Sequence, residues 1–238
     1  PVDRESMLPA PAAPYIRAEP GILPSRAADN LYWLGRYVER AEFVMRLVRA
    51  YNARLIETMS AEGPLMILLA HHLEGFGVEV EEGVPQGLLD VIGAAIYSAS
   101  RIRDRFSVDG WTALNDLMKN ARDMRERVDL GDDAASAMGV LLRKTTGFSG
   151  LVHENMYRFN GWRFLSIGLG QERIICTATV LARFADPKAP DGGLELAVDA
   201  GDSAMSHRQR YSVATNRGTV IDLLALDSLN PRSILYQL

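Results

Sequence analysis

Cysteine occurs once in the 238 residues, at Cys176, so no intrachain disulfide can form and a disulfide scaffold is excluded. That usage fits a reducing compartment. Basic excess is also missing: Lys and Arg number 26 against 30 Asp and Glu, for a net charge of −4. Such a balance argues against a general binder of nucleic acid or anionic membranes. Long apolar runs are lacking too, since stretches such as 64–70 and 174–181 fall far short of the ~20 residues a bilayer requires. The N-terminus carries Asp3, Arg4 and Glu5 with no apolar segment of the signal-peptide kind, so a cytoplasmic location is expected.

Several chemical signatures are absent as well. No Gly-x-x-x-x-Gly-Lys phosphate loop and no Glu-x-x-His pair occurs, which removes the usual di-iron helical-bundle pattern. Gly168-Leu169-Gly170 opens a Gly-x-Gly, but Arg173 stands where a third glycine would be needed and no strand precedes it. His71, His72 and Glu74 could offer metal ligands. Adjacent histidines diverge on a helix, however, so a solvated face or helix end is the better reading. His153 and His207 read as hydrogen-bonded structural residues, and Cys176, flanked by Ile174 and Ile175, as a small buried hydrophobe. No metal and no cofactor are expected.

What is present begins with proline. Six of the 11 prolines fall in the first 24 residues, where missing backbone donors and extended neighbours predict a linker or arm over 1–24. A proline-rich lead-in starting at Pro1 rather than Met is expected to follow another segment, a trimmed chain being the plainer alternative. Apolar residues at 47% and charged residues at 24% then suit a globular domain over 25–238. The chain stops five residues after Ser233, so this domain is expected to be truncated at its C-terminus.

Leu31, Leu34, Val38, Ala41, Met45 and Val48 recur at spacings of three and four, which predicts one long helix from Ser25 to about Ser60. Further helical patterns cover roughly 64–74, 86–105, 108–128, 133–159, 161–186, 194–214 and 216–227. Breaks fall at 82–85, 131–133 and 186–193, where Pro, Gly and Asp cluster. Residues 77–81 alternate like a strand but have no partner strand. Asn230 before Pro231 reads as an N-cap followed by proline at the first helical position. The fold class is all-α, a multi-helix bundle.

The first helix has an internal echo. At one fixed offset Gly35 matches Gly168, Glu39 matches Glu172 and Arg40 matches Arg173, with apolar residues matched around them. Two helices on one pattern suggest a duplication of the glutamate-arginine helix. Mid-helix glycine costs about 1 kcal/mol relative to alanine, so Gly35, Gly168 and Gly170 are expected where helices cross closely. The first helix is apolar nearly all round, with Trp33, Tyr37 and Phe43 outside its main seam, which places Arg36, Glu39 and Arg40 at least partly inside. Buried charges must be paired. Arg36 lies three residues before Glu39 and can reach it. Across the two copies, Glu39 is expected to pair with Arg173 and Glu172 with Arg40.

These residues carry a resemblance. The run from Ser25 to Glu42, including Leu31-Tyr32-Trp33-Leu34-Gly35-Arg36-Tyr37-Val38-Glu39-Arg40-Ala41, resembles the opening signature of the bacterial alpha-E domain family, named for its glutamate-arginine motif. The likeness continues at Arg101-Ile102-Arg103-Asp104-Arg105 with Trp111, and at Glu154-Asn155-Met156 through Gly161-Trp162-Arg163 into Glu172-Arg173. It returns at residues 206–211 and 227–233. The chain departs from the family pattern at Leu169 and Gly170, where arginines are usual. The resemblance implies association with circularly permuted ATP-grasp proteins, fused or separate. It also implies transglutaminase-like neighbours, in systems that form or modify peptides.

Two side-chain groups stand out. Trp33, Arg36, Glu39 and Arg40 with Trp162, Arg163, Glu172 and Arg173 could grip a carboxylate or phosphate. A buried ion-pair network that fixes helix register is the preferred reading. Arg208, Arg210 and Tyr211, with Arg217 nearby, form a second patch that reads as an ordinary solvated helix face. Three functions follow in order of preference. The first is a non-catalytic docking module for an ATP-grasp peptide or amide ligase. The second is an enzyme of the same pathway using Glu39 or Glu172 as acid or base, and the third is a helical oligomerisation domain.

Overall fold

A computed structural model describes residues 21–238. Ten α-helices and no strand occur among the described residues. The bundle is built around α1 (Ser25–Thr58), which at 34 residues is about 50 Å long. It packs most extensively against α6 (Asn160–Phe184), then against α3 (Gln86–Ser100) and α5 (Asp132–Asn155). Helix α2 (Pro64–Glu74) covers one flank, and α4 (Val108–Arg125) packs against α5 and α3. Short helices α7 (Gly193–Ala200), α8 (Ala204–Arg210), α9 (Arg217–Ile221) and α10 (Ile234–Gln237) close the C-terminal side.

The expected arm falls mostly outside the described residues: of 1–24, only 21–24 are described, with Leu23 packed on the core and Pro24 at the N-cap of α1. Local chemistry sets several helix ends. Pro64 sits in the first turn of α2, and the Ser107 hydroxyl accepts from the Gly110 N–H to cap α4. Met59 ends α1 in the left-handed region at φ 52°.

Several expected bounds shift. The pattern over 86–105 stops at Ser100, and Arg103–Arg105 forms a separate 3₁₀ turn. The pattern over 194–214 breaks into α7 and α8 at Gly201 and Asp202, the latter at φ 49°. The pattern over 216–227 becomes α9 followed by a π-turn over Asp222–Leu226. Residues 77–81 form no strand; Val78 is instead fully buried as a plug, its N–H donated to the carbonyl of Leu73.

The reading of Asn230-Pro231 as a helix start is corrected. Helix α10 begins at Ile234 with Ser233 as its cap. Asn230 is buried, and its amide donates to the Leu223 carbonyl at 2.8 Å. Its side-chain oxygen accepts from the Arg232 N–H at 3.0 Å. The polar side chain therefore pins a loop rather than a helix terminus.

Two apolar clusters divide the core. One gathers Leu31, Leu34, Val38, Phe148, Val152 and Leu165 near the N-terminal half of α1. The larger one starts at Ala41 and takes in Met45, Leu69, Leu88, Leu141, Val180 and Phe184. The charged layer is centred between Val38 and Ala41 on α1 and between Leu165 and Cys176 on α6, and spreads along α1 from Arg36 to Arg46.

Candidate functional site

The layer begins where α1 and α6 cross. A β-carbon on Gly35 would fall on the carbonyl oxygen of Leu165, and one on Gly168 would fall on the carbonyl oxygen of Tyr32. The contact is reciprocal, so each glycine admits the other helix's backbone. Gly170 differs: the nearest atom to its would-be β-carbon is the Gln237 side-chain oxygen, at 3.4 Å.

One turn beyond this crossing, the two glutamates of the repeated pattern face the opposite helix. Glu39 accepts from Arg173 through both oxygens, Nε to Oε1 at 2.8 Å and Nη2 to Oε2 at 2.5 Å. Glu172 accepts from Arg40 Nε at 2.6 Å and, on its other oxygen, from Arg36 Nε. The expected cross-copy pairing is therefore present in both directions. Arg36 reaches across to Glu172 instead of pairing with Glu39 on its own helix. Tyr32 completes this side, accepting from Arg36 and donating to Gln171 at 2.6 Å.

The symmetry breaks at the second cation. At the offset that relates the two copies, the counterpart of Arg36 is Leu169, which cannot reach a carboxylate. Arg232, from the segment before α10, takes that place: its Nη1 lies 3.2 Å from Glu39 and its Nη2 2.6 Å from Glu42. Glu42 also pairs with Arg46 on α1, and Asp202 lies 3.5 Å from Arg46. Arg173 further donates to the Pro231 carbonyl at 3.1 Å. Glu42, Arg46 and Arg232 were not singled out by sequence. Glu42 and Arg46 stand at i,i+4 spacing, and Glu42 and Arg232 fall inside the blocks 25–42 and 227–233 that carry the family resemblance.

Burial and charge shape the electrostatics. The side chains of Glu39 and Glu172 are 3% and 1% exposed, whereas Arg40 and Arg232 retain 29% and 21%. Five arginines surround three buried glutamates. Burial opposes charge on Glu42, but Arg46 and Arg232 outweigh it and hold its pKa below the ordinary carboxylate value. Burial likewise opposes charge on Arg173, and the Glu39 carboxylate overcomes it and raises the pKa. Arg232 shifts the other way: burial, reinforced by Arg46 and Arg173, lowers its pKa despite Glu42 and Glu39.

Other expected members lie elsewhere. Trp33 is half-exposed on α1, stacked on Tyr37 with centroids 5.5 Å apart and beneath the Arg36 guanidinium. Trp162 and Arg163 sit near the start of α6, about 15 Å along the helix from Glu172. Trp162 lies under Arg158 at 4.5 Å, and Arg163 is exposed. The aromatic side chains beside the charged layer are thus Tyr32, Trp33 and Tyr37, without Trp162.

The second patch does not converge on one point. Arg210 pairs with Asp227 at 3.1 Å, and Tyr211 donates to Asp222 at 2.5 Å. Arg217 donates to the Ala185 carbonyl, and Arg208 is exposed. His207 is buried with Nε2 2.8 Å from Thr219, as expected of a structural histidine.

Of the remaining candidates, His71 and His72 lie in the last turn of α2, the helix end that is one of the two expected placements; His71 is exposed beside Glu74, whereas His72 is not on a solvated face. It is buried among Phe43, Phe76 and Phe184, and burial, helped by Arg183, pushes its pKa down to about 4. Cys176 is buried as expected, and burial raises its pKa further from the reactive thiolate. Among the described residues no group of three His, Cys, Asp or Glu side chains is placed to hold a metal ion.

Both carboxylates of the repeated pattern, Glu39 and Glu172, are thus engaged by guanidinium groups on each oxygen and shielded from solvent. The arrangement holds two helices and a C-terminal segment in register, and it leaves guanidinium edges, not carboxylates, at the rim. Helix α6 is long and apolar enough in composition to cross a membrane, yet its midpoint carries Glu172 and Arg173 locked to α1.

Comparison with known proteins agrees with this layer. A family model for an alpha-helical domain with a conserved ER motif matches residues 23–238. Uncharacterized proteins of Mycobacterium tuberculosis and Mycobacterium bovis are each 25% identical over 90% of this chain. The chain spans 28% of the length of these relatives. No solved structure matches it.

Proposed function

This chain belongs to the Alpha-E family of helical domains, and on that premise we propose that it is a non-catalytic binding module that docks an ATP-grasp type peptide or amide ligase in the cytoplasm. The observation that carries the reading is the saturation of Glu39 and Glu172. A general acid or base must present a proton or lone pair to a substrate within hydrogen-bond reach. Carboxylates that are 1–3% exposed and held by two arginines each offer no such access. The motif then acts as a clasp, and the partner's chemistry belongs to another polypeptide or segment. Association with a circularly permuted ATP-grasp protein, and contact with a transglutaminase-like one, rest on the family resemblance.

Co-purification of this chain with a circularly permuted ATP-grasp protein from the same genome tests the reading. The expected result is a stable complex and no turnover by this chain alone. Turnover by the isolated chain that disappears in a folded Glu39→Gln variant overturns it.

A second reading, a helical oligomerisation domain, is favoured by one observation. Phe164, Ile167 and Ile175 form an exposed apolar stripe along α6, 40%, 56% and 39% exposed. A monomeric mass by light scattering removes that reading.

A further inference from the structure

Away from the ionic layer, the 3₁₀ turn Arg103–Arg105 separates two hollows that share Asp104 and Arg105. The first, about 560 Å³, lies between the start of α1 and the end of α3 and is faced by Arg26, Arg101 and Arg105. The second, about 370 Å³, is walled by Met156, Tyr157, Phe159 and Trp162. Neither includes a residue of the Glu39 and Glu172 network.

Charge in the first hollow runs against the average of the molecule. The chain as a whole is net −4, yet here three arginines meet one acid, Asp104, which is itself exposed and pairs with Arg105 at 2.9 Å. An exposed pair of this kind contributes little and is readily exchanged for another carboxylate. Arg26 makes no ion pair among the described residues. The first turn of α1 carries no acidic residue, so its positive end adds to the same potential. Arg101 is preorganised: its guanidinium lies over the Tyr97 ring at 4.9 Å and donates to the Tyr97 hydroxyl at 3.0 Å.

The second hollow supplies apolar surface. Tyr157 and Phe159 are exposed and in contact, with centroids 4.1 Å apart. Trp162 already has one face covered by Arg158.

We propose that the two hollows form one groove for an extended acidic peptide segment. Its carboxylates would meet Arg26, Arg101 and Arg105, whose planar forks suit carboxylate geometry. An adjacent apolar or aromatic side chain enters the space among Met156, Tyr157, Phe159 and Trp162. Single-stranded nucleic acid fits less well, because base stacking needs open ring faces and Arg158 occupies the indole of Trp162. The inference names a surface and a ligand chemistry, and it holds whether or not the ligase is the partner.

Fluorescence anisotropy on the full chain tests it, with a labelled hexapeptide of glutamates around one central phenylalanine as probe. Saturable binding is expected, weakened about tenfold or more when glutamine replaces glutamate in the peptide, or in Arg101→Glu and Arg105→Glu proteins of unchanged helicity. No saturation up to about 1 mM peptide, equal binding of an oligothymidylate of the same charge, or variants that bind like the parent each overturn the proposal. Photo-crosslinking of the same peptide to the unaltered protein decides the matter independently of variant folding. Adducts at 97–105 and 156–162 are expected, and adducts confined elsewhere refute the groove.

Discussion

A charged or polar side chain survives inside a protein only if something replaces the water it lost, and Glu172 and His72 show two outcomes of that rule. Glu172 receives Arg36 and Arg40, one guanidinium on each carboxylate oxygen. His72 receives no partner at Nε2 and sits against three phenylalanine rings, so burial holds it neutral with its pKa near 4. In the unfolded chain its pKa returns to about 6.5, so between these values the unfolded state binds more protons. His72 therefore contributes fully above about pH 6.5 and loses up to about 3 kcal/mol of stability as pH falls towards 4. In His72→Leu that part of the slope should vanish, leaving the steeper loss in more acid solution to groups such as Glu42. Urea midpoints measured from pH 7.5 to 4 check this; an unchanged slope refutes it. Nothing in the sequence distinguishes His72 from His71, since facing depends on where α2 lands.

At the scale of elements, the crossing of α1 and α6 is decided by two glycines. Alanine at position 35 would gain about 1 kcal/mol of helix propensity, but its β-carbon would meet backbone, which cannot move aside as a side chain can. Separating the helices also stretches the Glu39–Arg173 and Glu172–Arg40 bonds. Gly35→Ala should therefore destabilise by about 2 kcal/mol or more, whereas Gly170→Ala, which meets only the end of Gln237, should be neutral or slightly stabilising. Thermal and urea unfolding of the two variants separates them, and equal stability of both refutes the backbone-contact account. The periodicity of α1 was legible because a 3.6-residue repeat is written locally. The split of 194–214 was not: Gly201 ends α7 where a β-carbon would meet Leu224, a residue brought there by the fold.

For the whole molecule, the ionic layer joins three distant parts of the chain: α1, α6 and the segment before α10. Removing Glu39 leaves Arg173 without its carboxylate, so Glu39→Gln should cost about 3–5 kcal/mol, and Arg173→Gln should cost less because Arg232 still faces Glu39. The double variant should cost clearly less than the sum, and Arg232→Gln should expose the C-terminal segment to faster amide exchange. Strictly additive losses in the Glu39–Arg173 cycle would show that the two charges act separately. The layer lies between two apolar clusters, so it sets the register of the helices that build both, including the face that carries the arginine groove.

The sequence by itself determined the helical class, the glycine-mediated crossing, the burial of the Glu-Arg pair and its pairing across the two copies. All of these follow from periodicity on single helices and from the rule that buried charges find opposite charges. Tertiary structure alone decided that Arg232 stands in for the arginine missing at Leu169, and that Glu42 and Arg46 join the layer. It also decided that Trp162 and Arg163 fall outside the layer and that Asn230 pins a loop. The reason is physical: each of these depends on where the chain returns after leaving a helix, and loop geometry, not side-chain period, fixes that return.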